Sequence, residues 1–73
     1  MNNTLSIIKI GKTVTVEGLT ESVLKPKLIE MGIITGKKLK VLFKAPFGDP
    51  IAIDVGGYVL SLRLDEAKLI RVV

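Results

Sequence analysis

The sequence predicts a mainly β fold, a small antiparallel barrel of about five strands with one short helix inserted after the first strand. Three observations predict it. Branched aliphatic residues alternate with polar ones in short runs, the period of a half-buried strand. Gly56-Gly57 stands between two such runs and supplies the positive φ angles of a tight hairpin. Only the stretch from Thr20 to Met31 has helical spacing, so there is no βαβ rhythm and no parallel sheet. With 73 residues and no cysteine, the chain is expected to form a single domain, 1–73, held by apolar burial alone. Its 48% hydrophobic content is that of a chain with a core, not of a disordered tail.

The elements follow in order. Leu5 to Ile8 suits one helical turn, closed by Gly11. Val14 and Val16 alternate with Thr13 and Thr15 as a short strand, which Gly18 is expected to end. Apolar residues at 23, 24, 28 and 31 suit a helical face. Pro26 is tolerated only in a first turn, so the helix is expected from about Lys25 to Met31, with Gly32 as its left-handed stop. The next strand places Leu39, Val41, Phe43 and Ala45 on one face. Lys38, Lys40 and Lys44 take the other, and Leu42 is the exception.

Pro46 to Pro50 is a loop, because two prolines and a glycine refuse regular structure. Around Gly56-Gly57 the predicted pairs are Val55 with Tyr58, Ile53 with Leu60 and Ile51 with Leu62, all facing one side. Asp54 with Val59 and Ala52 with Ser61 face the other. A slip of one residue would set apolar against polar, so this register is the one expected. Asp65 to Lys68 is a single turn, and Leu69 to Val73 closes the chain as a last strand covering an edge left by the first.

Net charge is +4, and all the excess lies between Glu21 and Lys44, where six lysines face two glutamates. A basic face of this kind suits an acidic partner or a polyanion. No apolar run approaches the ~20 residues of a membrane span. The only lysine of the first ten residues follows the apolar stretch, the wrong order for a signal peptide. The chain is therefore expected to be cytoplasmic.

Chemistry is poorly provided for. Ser6, Ser22 and Ser61 have no histidine to activate them, so no enzyme is expected. Gly56-Gly57 precedes a strand, not a helix, and is no phosphate loop. Without histidine or cysteine, only Asp49, Asp54, Asp65 and Glu66 approach a metal cluster. Asp49 is better explained by a turn before Pro50 and Asp65 by capping the turn that follows it. No metal site and no cofactor are expected.

Two binding functions remain. Lys38, Lys40 and Lys44 form a basic face for nucleic acid, but Phe43 and Tyr58 are assigned to the core, leaving Phe47 alone to stack on a base. A protein-binding face makes more of the leftover apolar residues Ile33, Leu42, Phe47 and Val59. Ile33 and Phe47 fit equally well as plugs over the barrel ends.

The run Leu28-Ile29-Glu30-Met31-Gly32-Ile33, then Thr35-Gly36 and a lysine-rich strand, resembles the FeoA family of ferrous-iron-transport accessory proteins. So do Ala45-Pro46-Phe47-Gly48-Asp49-Pro50, Ser61-Leu62-Arg63 with Asp65-Glu66-Ala67, and Ile70-Arg71-Val72. The likeness runs from Leu5 to Val72, with departures at Thr35, where the family usually has proline, and at Gly56, where a basic residue is common. The resemblance implies an SH3-like barrel acting in the cytosol beside a FeoB-type membrane permease that carries a GTP-binding domain. Contact with the membrane would be indirect, through that partner, with no nucleic acid bound and self-association left open. The same module is fused behind DNA-binding parts in some metal regulators, but no helix-turn-helix segment is present here. The partner-binding residues expected on this reading are Met31, Ile33, Lys38, Lys40, Lys44, Phe47 and Asp49. Contact or allostery is the expected mechanism. An arginine finger from Arg63 or Arg71 is disfavoured by their strand positions.

Overall fold

Gly56 and Gly57 take φ angles of 65° and 114°, and the chain reverses there between β4 (Ile51–Asp54) and β5 (Val59–Leu62). A computed structural model describes residues 3–73. The register is the one expected: Ile51 faces Leu62, Ile53 faces Leu60 and Asp54 faces Val59. Asp54 Oδ1 accepts the Gly57 N–H at 2.9 Å and fastens the turn. Tyr58 departs from the expectation. Its ring lies at the surface, and its hydroxyl donates to the Met31 carbonyl instead of entering the core.

The remaining elements are β1 (Asn3–Thr4), β2 (Thr13–Leu19), α1 (Lys25–Glu30), β3 (Lys38–Lys44), α2 (Leu64–Ala67) and β6 (Ile70–Val72). A 3₁₀ turn at Leu5–Ile7 stands where a helical turn was expected. The strands form one antiparallel sheet in the order β1-β6-β2-β3-β4-β5. β1 is a sixth strand, too short to show a period in the sequence. The last strand does protect the first, since β6 lies between β1 and β2.

Two bulges correct the sequence reading. In β2, Val16 faces Val72 but Gly18 faces Arg71, so Glu17 is an extra residue. Gly18 therefore continues the strand instead of ending it. A side chain there would collide with the Arg71 guanidinium, which lies across this point. In β3, Val41 faces Ile53 but Phe43 faces Ala52, and Leu42 is the extra residue. Beyond it the phase inverts. Phe43 turns outward, and Lys44 stands opposite the buried Ile51, with Nζ reaching the Ser6 carbonyl at 3.5 Å. Lys44 thus leaves the face it was expected to share with Lys38 and Lys40.

The core gathers Leu5, Val14, Val16, Leu28, Ile33, Leu39, Val41, Ile51, Ile53, Val55, Leu62, Ala67, Ile70 and Val72. Each fully buried aliphatic side chain here contributes about 1.5–3 kcal/mol relative to exposure. Helix α1 joins this core through its C-terminal cap. Gly32, at φ 90°, donates to the Ile29 carbonyl at 2.9 Å, and Ile33 donates to the Leu28 carbonyl at 3.0 Å. This is a Schellman ending, and it turns Ile33 inward beside Leu28.

Glu66 is the one buried charged residue among the described residues. Its carboxylate accepts the Arg63 N–H at 2.9 Å and pairs with Lys27 Nζ at 2.8 Å, tying α2 to α1. The Lys27 hydrogen bond, followed by the Arg63 amide, holds its carboxyl below the ordinary value of 4.5. Asp65 does not cap α2. That role falls to Asp49, whose Oδ1 accepts the Leu64 N–H at 3.2 Å, so the expected turn before Pro50 is replaced by a bond across the fold.

Candidate docking face

The outward side of β3, β4 and β5 carries cross-strand rows. Lys40 lies beside Asp54 and Val59, and Phe43 beside Ala52 and Ser61. Lys38 extends this side toward Thr15 on β2. Strand alternation explains why the lysines face out, and the Leu42 bulge explains why Phe43 joins them. Phe43 is 58% exposed and Val59 65% exposed, so the face combines ammonium groups with an apolar centre.

Next to this face, the loop from Ala45 to Pro50 closes through the Ala45 N–H to the Pro50 carbonyl at 3.0 Å. Phe47 stands at its tip with φ 70° and its side chain fully exposed. A bulky residue in the left-handed region costs on the order of 1–2 kcal/mol, and nothing in the core repays that cost here. Such strain on a projecting aromatic directs attention to recognition.

The expected partner-binding residues therefore separate. Lys38, Lys40 and Phe47 are exposed on or beside the β3–β5 face. Lys44 is carried toward the barrel interior. Asp49 lies on the same loop as Phe47 but is engaged with Leu64 and sits 3.8 Å from Arg63 Nε. Met31 is half-buried against the core on the helix side. Ile33 is the clear correction. It is 0% exposed, a plug in the core, and cannot touch a partner. The sequence reading missed Phe43. Its signal was Leu42, the one apolar residue out of phase, which marks the bulge.

The strand expected to carry each arginine is found for Arg71 but not for Arg63. Arg63 stands after β5 as the residue preceding α2, with an exposed side chain. Arg71 is in β6, half-buried over Gly18, and donates to Thr20 Oγ1 at 3.3 Å. It lines a groove of about 390 Å³ with Glu17, Leu19, Ile29 and Ile34 on the α1 side. Among the described residues no group of three or more acidic, histidine or cysteine side chains could hold a metal ion. No helix among them is long and apolar enough to cross a membrane.

Comparison with known proteins agrees with this architecture. The solution structure of a FeoA-like protein from Clostridium acetobutylicum superposes with a TM-score of 0.92 at 42% identity, covering 99% of this chain and 85% of that one. The FeoA of Stenotrophomonas maltophilia, described as complexed with zinc and as a procaryotic SH3 domain protein, superposes with a TM-score of 0.87. Its identity is 28%, over 97% of this chain and 89% of that one. The fold is therefore SH3-like. A curated relative, the Fe(2+) transport protein A/Fe(2+) transporter FeoB fusion protein of Porphyromonas gingivalis, is 37% identical over 59 residues. That match takes in 81% of this chain but only 7% of the fusion protein. Residues 3–73 match the FeoA domain, and the chain belongs to the FeoA family.

Proposed function

We propose that this chain is a non-enzymatic accessory protein of ferrous-iron uptake that acts in the cytoplasm by binding a FeoB-type permease on its soluble, GTP-binding part. The observation that carries this reading is the Porphyromonas gingivalis relative, in which a related segment and a FeoB transporter share one polypeptide. Covalent fusion makes an encounter intramolecular, which is useful where two modules act together. The face that serves it is the one with Lys38, Lys40, Phe43 and Phe47. Phe47 and Phe43 supply apolar anchors, and the lysines steer approach to an acidic surface. Titration of the permease's soluble domain with the wild type, Phe47→Ala and Lys40→Glu tests it. The expected result is a loss of about tenfold or more for Phe47→Ala. For Lys40→Glu a slower association that salt masks is expected. Equal affinity of all three proteins refutes the face.

One observation favours a second reading. The exposure of Phe43 and Phe47 beside Lys38 and Lys40 restores the aromatic-plus-basic surface that small barrels use on RNA. Against it, Asp54 stands opposite Lys40, and the sheet face carries no arginine. Binding of single-stranded RNA at moderate salt that Phe43→Ala and Phe47→Ala abolish would establish that reading over the first.

A further inference from the structure

Gly18 is a glycine that its own backbone does not require, because its φ lies outside the left-handed region. Glycine inside a strand weakens it and often marks a place where another group approaches closely. Here that group is the Arg71 guanidinium of the neighbouring β6, with which a Cβ on Gly18 would collide.

Nothing in the fold uses the charge so placed. The guanidinium has several N–H donors, and its one hydrogen bond, to Thr20 Oγ1, is 3.3 Å long. Among the described residues Arg71 has no ion-pair partner. Its nitrogens without a hydrogen bond are open to solvent.

The groove it lines holds about 390 Å³, at the small end of the ~300–1,000 Å³ typical of ligand pockets. Leu19, Ile29 and Ile34 give it aliphatic walls, with the buried Ile33 behind them. Ile29 and Ile34 are 45% and 50% exposed, so the mouth is open. Of the charged residues that line it, Lys25 is already paired with Glu21 at 2.6 Å. Arg71 and Glu17 are left, one cation and one anion without ion-pair partners among the described residues.

We propose that this groove is a binding site for an aliphatic residue with a free α-carboxylate, which the Arg71 guanidinium receives. The guanidinium fork matches a carboxylate in plane and takes it by two N–H bonds. The walls of Leu19, Ile29 and Ile34 then cover the branched side chain, which starts one carbon from that carboxylate. Phosphate and dicarboxylates fit badly, since a single unpaired cation meets them and Glu17 opposes a second negative charge. A free aliphatic amino acid uses every feature, with its ammonium toward Glu17. The last residue of a polypeptide offers the same carboxylate and side chain without the ammonium. The site shares no residue with the β3–β5 face and does not rest on the permease reading.

Amide shift titration of the full chain with small probes tests this. The probes are L-leucine, N-acetyl-L-leucine, L-leucinamide, which lacks the carboxylate, and glycine, which lacks the side chain. L-Leucine is expected to shift Gly18, Leu19, Ile29 and Thr35 saturably, with Kd on the order of 1 mM. L-Leucinamide and glycine are expected to bind at least about tenfold more weakly. N-Acetyl-L-leucine binding as well as L-leucine or better assigns the site to a polypeptide C-terminus, and binding about tenfold weaker assigns it to a free amino acid. Arg71→Gln removes the fork. Gly18→Ala keeps the charge but displaces the guanidinium, the flexible end of its side chain, at little cost to the strand. Both variants are expected to weaken the binding at least about tenfold with unchanged circular dichroism. The proposal is overturned if neither L-leucine nor its N-acetyl form gives saturable shifts up to about 50 mM. It is overturned equally if L-leucinamide or glycine binds as well as L-leucine, or if Gly18→Ala leaves the affinity unchanged. Gly18→Ala decides the matter should Arg71→Gln disturb the fold.

Discussion

Ile33 and Phe47 looked alike in the sequence, each a large apolar residue next to a glycine and outside any clear strand, and they have opposite fates. Ile33 follows Gly32 at the end of α1, and two cap hydrogen bonds turn it into the core, where it is 0% exposed. Phe47 precedes Gly48, takes a positive φ itself and projects wholly into solvent. The order of glycine and apolar residue decides the outcome. A left-handed glycine ahead of the residue redirects the chain inward, whereas the absence of one leaves the aromatic to carry the strained angle. One residue is structural and the other is available for recognition.

The largest expected effect breaks the structural half of this pair. Ile33→Ala should lower stability by about 2–5 kcal/mol in urea denaturation, while affinity per folded molecule for the permease's soluble domain stays unchanged. The Glu66→Gln variant should lose about 1–2 kcal/mol by removing the charge-assisted bond between α1 and α2. Because the folded carboxyl lies below 4.5, this contribution is present above that pH. It fades as pH falls through the lowered native value. Thermal midpoints of wild type and variant should therefore differ at pH 7 and converge in acid. Tyr58→Phe removes the hydroxyl that donates to the Met31 carbonyl, and about 1 kcal/mol should go with it.

The smallest change in stability sharpens the other half. Phe47→Gly should leave the fold as stable as the wild type or raise it by up to about 1 kcal/mol, because glycine accepts the left-handed angle freely. Its affinity for the permease's soluble domain should nevertheless fall about tenfold or more. Calorimetric unfolding and titration of the same sample separate the two effects.

The sequence showed a good part of this, for physical reasons. The β4–β5 hairpin was legible because both strands alternate cleanly and a glycine pair fixes the turn between them. The helix was legible from Pro26 and Gly32, which mark its first turn and its stop. The β3 bulge was not, because Val41-Leu42-Phe43 is apolar throughout and hides a change of phase; hence Phe43 was assigned to the core and Lys44 to the lysine face. The bonds of Glu66 to Lys27 and of Asp49 to Leu64 join residues far apart in the chain, where no local pattern signals them. Of the candidate site, Lys38, Lys40 and Phe47 could be read from alternation and loop composition. The burial of Ile33 required the cap geometry.

On the proposed reading the permease docks on the outward side of β3–β5 and the adjoining loop. Backbone amide shift mapping of this chain during titration with the permease's soluble domain tests it most directly. Perturbations are expected to concentrate on Lys38 to Phe47 and the outward residues of β4 and β5. Perturbations concentrated on α1 and the Arg71 groove, with the β3–β5 face silent, would contradict it.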